Sequence, residues 1–172
     1  MASSRQDQEI VIRIIKNFKA INLSEHKIKK LVKALCERFE KHKPSNKRYE
    51  ISIAIVNDNE IREFNKEFLD RKTTTDCLSF DLSDDKKGPK IFDMIVNGEM
   101  ATRQADLRGH SSEAELTLYI THGLLHNLGF DDSTESQARK MHETEDEILQ
   151  EFGYGPVYNK STRPKNIRAQ GV

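Results

Sequence analysis

The stretch THGLLHNLGFDD, residues 121–132, decides how this chain is read. It carries His122 and His126 in a mostly apolar run, then Gly129, then Asp131 and Asp132. On a helix, positions i and i+4 share a face with Cβ atoms roughly 6 Å apart, so two imidazoles there can converge on one metal ion. Gly129 supplies a left-handed stop, and the sharp turn after it brings Asp131 or Asp132 back over the face bearing the histidines. Two histidines and one carboxylate, with a fourth position left to water, make a catalytic zinc set. The plain alternative is a pair of core histidines. A chance His-x-x-x-His arises in roughly one such chain in five, so the pair alone decides little. An unpaired imidazole pair is costly to bury in an apolar helix, however. The stop and the two carboxylates strengthen the metal reading further.

One absence narrows the chemistry. Zinc proteases of the HExxH type place a glutamate after the first histidine as general base. Here that position is Gly123. Peptidase chemistry is disfavoured, and water must be activated by the metal itself or by another side chain.

Working outward, a helix runs from Ser112 to Leu128. A last amphipathic helix follows, capped by Ser133 or Thr134, with Ala138, Met141, Glu145 and Ile148 on one face. Upstream, "EIVIRIIKNF" predicts a strand around 9–16. "LSEHKIKKLVKALCERFEKH" predicts a helix capped by Ser24, with Ile28, Leu31, Val32, Leu35, Cys36 and Phe39 as its stripe. "YEISIAIVND" alternates Ile51, Ile53 and Ile55 at strand period. Asp58 is the expected cap of the next helix, whose inner face is Ile61, Phe64 and Phe68. "CLSFDL" and "IFDMIVN" are further strands, and Glu99 to Leu107 a short helix. Without regular βαβ alternation the class is α+β: a small mixed sheet packed with helices, the His-x-x-x-His helix central. Residues 1–8 are expected to form a flexible tail, 9–153 a single domain, and 154–172 a disordered basic tail.

Composition excludes little but directs the rest. The 172 residues suit one domain, with 28 Lys+Arg against 28 Asp+Glu and so no net charge. Bulk charge gives no support for a polyanion partner; only a local patch could. Lys27, Lys29, Lys30 and Lys33 are dense on the first helix, and Lys160, Arg163, Lys165 and Arg168 on the tail. An ordinary solvated helix face is the competing reading. Cys36 and Cys77 are expected core thiols without a disulfide framework. The polar N-terminus lacks a signal-peptide core, and no run approaches a membrane span. A soluble, intracellular protein is expected. His142 is expected at the surface rather than as a fourth ligand, and His26, His42 and His110 carry no pattern.

"HGLLHNLGFDD" closely resembles the signature of the YbeY family of bacterial rRNA maturation factors, His-Gly-x-x-His-x-x-Gly-Tyr/Phe-Asp-His/Asp. "TTTDCLSF" is similar to that family's Pro-Thr-Asp-Val-Leu-Ser-Phe segment, and "FDMIVNGEM" to its Gly-Asp-Ile-Val-Ile strand. The resemblance spans roughly residues 45–153. It implies a metal-dependent, single-strand-specific endoribonuclease, acting in maturation of the small-subunit rRNA three-prime end and in ribosome quality control. It implies His122, His126 and Asp132 as ligands of one divalent ion, zinc being the expected metal. Asp132 stands where many members have a third histidine, which changes the charge of the site and its metal preference. Asp131 matches the family's acidic residue before that ligand, as a partner behind it, an alternative ligand or a catalytic group. Thr74 replaces the family's usual Pro and Phe92 its usual Gly. The functional arginine of the family falls at Leu69 in one register, two residues before Arg71; Arg71 is the expected catalytic cation. The implied partners are single-stranded RNA, the small ribosomal subunit and assembly proteins in the cytoplasm, with neither DNA nor a membrane. Two other readings remain: a non-catalytic assembly factor with a structural metal, and a metal-dependent hydrolase of small substrates.

Overall fold

Alternation at Ile51, Ile53 and Ile55 places one face of strand Tyr49–Val56 in the core, and the sheet grows from that strand. The computed structural model describes residues 9–39, 48–84 and 88–157. The expected tail at 1–8, the loop at 43–47, His42 and the basic residues from Lys160 to Arg168 lie outside them. In chain order the elements are β1 (Ile10–Lys16), α1 (Glu25–Phe39), β2 (Tyr49–Val56), α2 (Asp58–Leu69), β3 (Cys77–Asp81), β4 (Lys90–Asn97), α3 (Gly98–Arg108), α4 (Ser112–Asn127) and α5 (Glu135–Glu151).

The four strands lie in the order β1-β2-β4-β3; β1 and β4 run parallel to β2, and β3 runs antiparallel to β4. The fold is therefore α+β with a small mixed sheet. Register carries apolar rows across it: Ile12 beside Ile51 beside Phe92, and Ile14 beside Ile53 beside Met94. This face packs with Ile28, Leu31, Val32, Leu35 and Cys36 of α1, and with α4 and α5, in the main core. On the other face, α2 forms a smaller cluster in which Ile61 meets Val56 and Leu78.

Helix α4 is the centre of the molecule. Every residue from Ala114 to Leu125 is buried, as a helix apolar on all sides requires. Burial of each of Leu116, Leu118, Ile120, Leu124 and Leu125 is worth about 1.5–3 kcal/mol.

Three expectations are corrected. The α2 cap is Asn57, whose side chain accepts from Glu60 N (2.9 Å) while Glu60 reaches back to Asn57 N. Asp58 is instead the first helical residue. Phe68 is 55% exposed: its ring meets Phe64 (6.1 Å) and Phe80 of β3 (5.7 Å), but the buried positions of α2 are Ile61 and Asn65. Packed structure also continues past Gly153: Val157 is wholly buried, and Tyr154 Oη donates to Glu113 Oε1 at 2.7 Å.

Candidate metal centre

The local sequence builds the site in three steps. Ser111 caps α4 by accepting from Ala114 N at 3.1 Å, which sets the helix so that its last turn carries His122 and His126. That turn closes with Gly129 N donating to His126 O (3.0 Å) and Phe130 N to Leu125 O (2.9 Å). These are the paired bonds of a Schellman stop, with Gly129 at φ 101°. Asp131 then closes the next turn on itself. Its Oδ1 accepts from Asp132 N (2.8 Å) and Ser133 N (3.2 Å), and its Oδ2 from Ser133 Oγ (2.5 Å). The Ser133 hydroxyl first, and then the Asp132 amide, hold the Asp131 carboxyl below the usual carboxylate range.

The outcome is convergence. His122 Nε2 and His126 Nε2 face each other at 3.1 Å, their rings nearly perpendicular at 85°. Asp132 Oδ2 stands 3.7 Å from the first nitrogen and 3.6 Å from the second. One donor atom from each of the three lies within 4.8 Å of the others, a group that could hold a metal ion. The donor set of two imidazoles and a carboxylate fits a divalent ion of zinc type. Side-chain exposure rises from 4% at His122 to 14% at His126 and 18% at Asp132, so the group is sealed inward and open outward.

Gly123 has a packing reason. A Cβ there would meet Cys77 Sγ at 2.7 Å and Met94 Sδ at 3.3 Å. Strands β3 and β4 press on α4 beside His122, so no side chain can occupy the position a zincin uses for its base. The TTTDCLSF segment is thereby brought against the histidine helix through Cys77 and Ser79.

Arg71 sits exposed at the α2 end of the connection into β3, with its backbone N–H donating to Asn65 O at 3.2 Å. The structure thus gathers His122, His126 and Asp132, with Asp131 in the turn that aims Asp132. Arg71 is not among these donors; it lies on the connection from α2 to β3. On α1, Lys27 lies over the Tyr154 ring (3.7 Å) and Lys33 is 4.0 Å from Glu37, while Lys29 and Lys30 are exposed.

Sequence reasoning missed two sets of residues. His142 is partly buried rather than fully at the surface: its side chain is 14% exposed, and it stacks on His122 with ring centroids 6.4 Å apart at 15°. Glu145, wholly buried, joins the two rings, with Oε1 2.6 Å from His122 Nδ1 and Oε2 2.9 Å from His142 Nδ1. The available signal was a glutamate in the apolar stripe of α5. At the other end of α4, Arg108 donates to both oxygens of Glu115 (3.0 and 2.8 Å) and to the carbonyl of Val157. His110 Nε2 lies 2.5 Å from Glu115 Oε2.

A sequence model described as Endoribonuclease YbeY matches residues 13–153. The chain is 40% identical over 103 residues to a Carboxydothermus hydrogenoformans protein named Endoribonuclease YbeY, covering 60% of this chain and 72% of that one. A Bacillus mycoides protein of the same name is 32% identical over 135 residues, covering 73% and 86%. A solution structure of a Thermotoga maritima protein superposes with a TM-score of 0.54 at 23% identity, covering 90% of this chain and all of that one; it supports the fold.

Proposed function

The chain belongs to the endoribonuclease YbeY family, and on that premise we propose that it hydrolyses single-stranded RNA at the three-prime end of small-subunit rRNA and serves ribosome quality control. Membership makes it a metal-dependent endoribonuclease of rRNA processing. The finer reading assigns zinc as its metal, the small ribosomal subunit and assembly proteins as partners, and the cytoplasm as its place of action. No helix among the described residues is long and apolar enough to cross a membrane.

The observation that carries the reading is the convergence of His122, His126 and Asp132 on one point that opens outward. In this proposal those three side chains hold the ion. Held there, a divalent ion would supply Lewis-acid chemistry, a lowered pKa for a water and a polarised phosphoryl oxygen. Asp131 keeps the 131–133 turn closed and so aims Asp132. Arg71 stabilises the negative charge that develops on the phosphodiester. Exclusion of a side chain at Gly123 leaves that position without a general base. The outward rise in exposure supports a fourth position reachable by water and substrate, as catalytic sites require and closed structural sites do not.

The test is elemental analysis of the purified protein paired with cleavage of a single-stranded RNA, with and without chelator. One zinc per chain and chelator-sensitive cleavage are expected. A full complement of metal with no cleavage of single-stranded RNA would overturn the catalytic reading.

A further inference from the structure

Glu145 lies outside the three-donor group, yet it is buried completely on α5 between two imidazoles. Burying a carboxylate costs several kcal/mol unless good partners repay it. Its partners are specific: Oε1 on His122 Nδ1 and Oε2 on His142 Nδ1. A carboxylate only accepts hydrogen bonds when ionised, so a Glu145 in that form pairs with the Nδ1–H form of each ring. In the neutral His122 ring that form leaves Nε2 with its lone pair. Nε2 is the atom that faces His126 Nε2 at 3.1 Å and Asp132 Oδ2 at 3.7 Å. The opposite tautomer would turn an N–H into the donor group. The stacked His142 ring holds the second carboxylate oxygen, so Glu145 cannot swing away from His122 without losing a bond on each side.

We infer that Glu145, steadied by His142, is a positioning residue that fixes His122 in the tautomer and ring orientation that present Nε2 to a metal ion. The inference rests on the reading of His122 as a ligand. It makes α5 part of the centre, as the helix that sets a donor from behind. Partners of this kind typically change metal affinity by about 10–100-fold when removed.

The test uses the full chain and zinc. Affinity is read by competition with a chromophoric chelator, and the tautomer of His122 by long-range nitrogen–proton NMR. Glu145→Gln is expected to bind zinc about 10–100-fold more weakly with an unchanged circular dichroism spectrum. His142→Gln should show a smaller loss in the same direction. The wild-type protein should show the His122 proton on Nδ1. Unchanged zinc affinity in Glu145→Gln would overturn the inference, even if thermal stability falls, because a packing role moves only stability. If Glu145→Gln fails to fold, the wild-type spectrum still decides: a His122 proton on Nε2 overturns it. A His122→Ala control separates the two readings. Loss of zinc in that control with none in Glu145→Gln defeats only the positioning role, whereas retained zinc in His122→Ala defeats the ligand reading beneath it.

Discussion

At the N-terminal end of α4, His110 and Glu115 sit with Arg108 in a cluster sealed from solvent. At the C-terminal end, His122, His126 and Asp132 gather where the surface begins to open. Both ends pair histidine with carboxylate. They differ in what closes the charge. Arg108 grips both oxygens of Glu115 and also the Val157 carbonyl, so the first cluster is completed by the protein's own cation and ties the C-terminal segment to the core. In the second, two nitrogens and an oxygen point at one another, an arrangement that an ion completes. The same residue types are a staple at one end and a group that could hold a metal ion at the other, and exposure with the presence of a fixed guanidinium separates them.

The largest effect that would break this contrast is at the staple. Glu115→Gln leaves Arg108 buried without its counter-charge, and denaturant unfolding should show a loss of about 3–5 kcal/mol. Zinc stoichiometry of the folded protein should not change; a folded variant that loses zinc would show the two ends to be one unit. Next comes Arg71, the proposed source of positive charge. Arg71→Ala should lower RNA cleavage about a hundredfold or more with unchanged metal content. Retained cleavage would place that charge elsewhere. Truncation after Gly153 removes Val157 and Tyr154. Loss of Val157 burial alone should cost about 1.5–3 kcal/mol, read as a lowered melting temperature. An unchanged melting temperature would mean that the Arg108 cluster needs no C-terminal segment.

The smallest effect calibrates the buried pair against a more exposed one. Arg103 bonds Asp58 at 2.5 and 3.1 Å, and Asn97 adds a third bond at 2.8 Å. Burial alone would raise the Asp58 carboxyl, but the Arg103 and Asn97 hydrogen bonds outweigh it and hold it below its ordinary value of 3.8. A carboxyl depressed by folding stabilises the native state above its unfolded pKa and loses that contribution as pH falls through the depressed value. Wild type should therefore exceed Asp58→Asn by less than about 1 kcal/mol near neutrality, given Arg103's exposure. The gap should close on acidification below 3.8. A gap that persists into strong acid would assign the effect to packing.

Much of this was legible because it is local. The strand period of Ile51, Ile53 and Ile55, the stripe of α1 and the Gly129 stop each follow from residues within a turn or two. The His122/His126 spacing and the two aspartates pointed to the same donor group that the fold brings together. What was missed turns on choices between adjacent residues or on how the elements pack. Asn57 and Asp58 are both good caps, and only the Glu60 reach-back separates them. Phe68 fits the helical stripe, but its ring is only partly covered by Phe64 and Phe80. His142 and His110 look unremarkable in sequence because their carboxylate partners acquire meaning only once α5 lies on α4 and α3 turns into α4. Strand order, with β4 inserted between β2 and β3, has no local signature at all.

We propose that His122, His126 and Asp132 hold the divalent ion. X-ray absorption at the zinc edge, on stoichiometrically loaded wild type and on His126→Ala, tests it most directly. Wild type should show nitrogen and oxygen neighbours at about 2.0–2.2 Å, with the outer scattering of two imidazoles, and no sulfur shell at about 2.3 Å. His126→Ala should fold and fail to retain stoichiometric zinc. A sulfur neighbour in wild type, or an unchanged spectrum with full zinc in His126→Ala, would contradict the account.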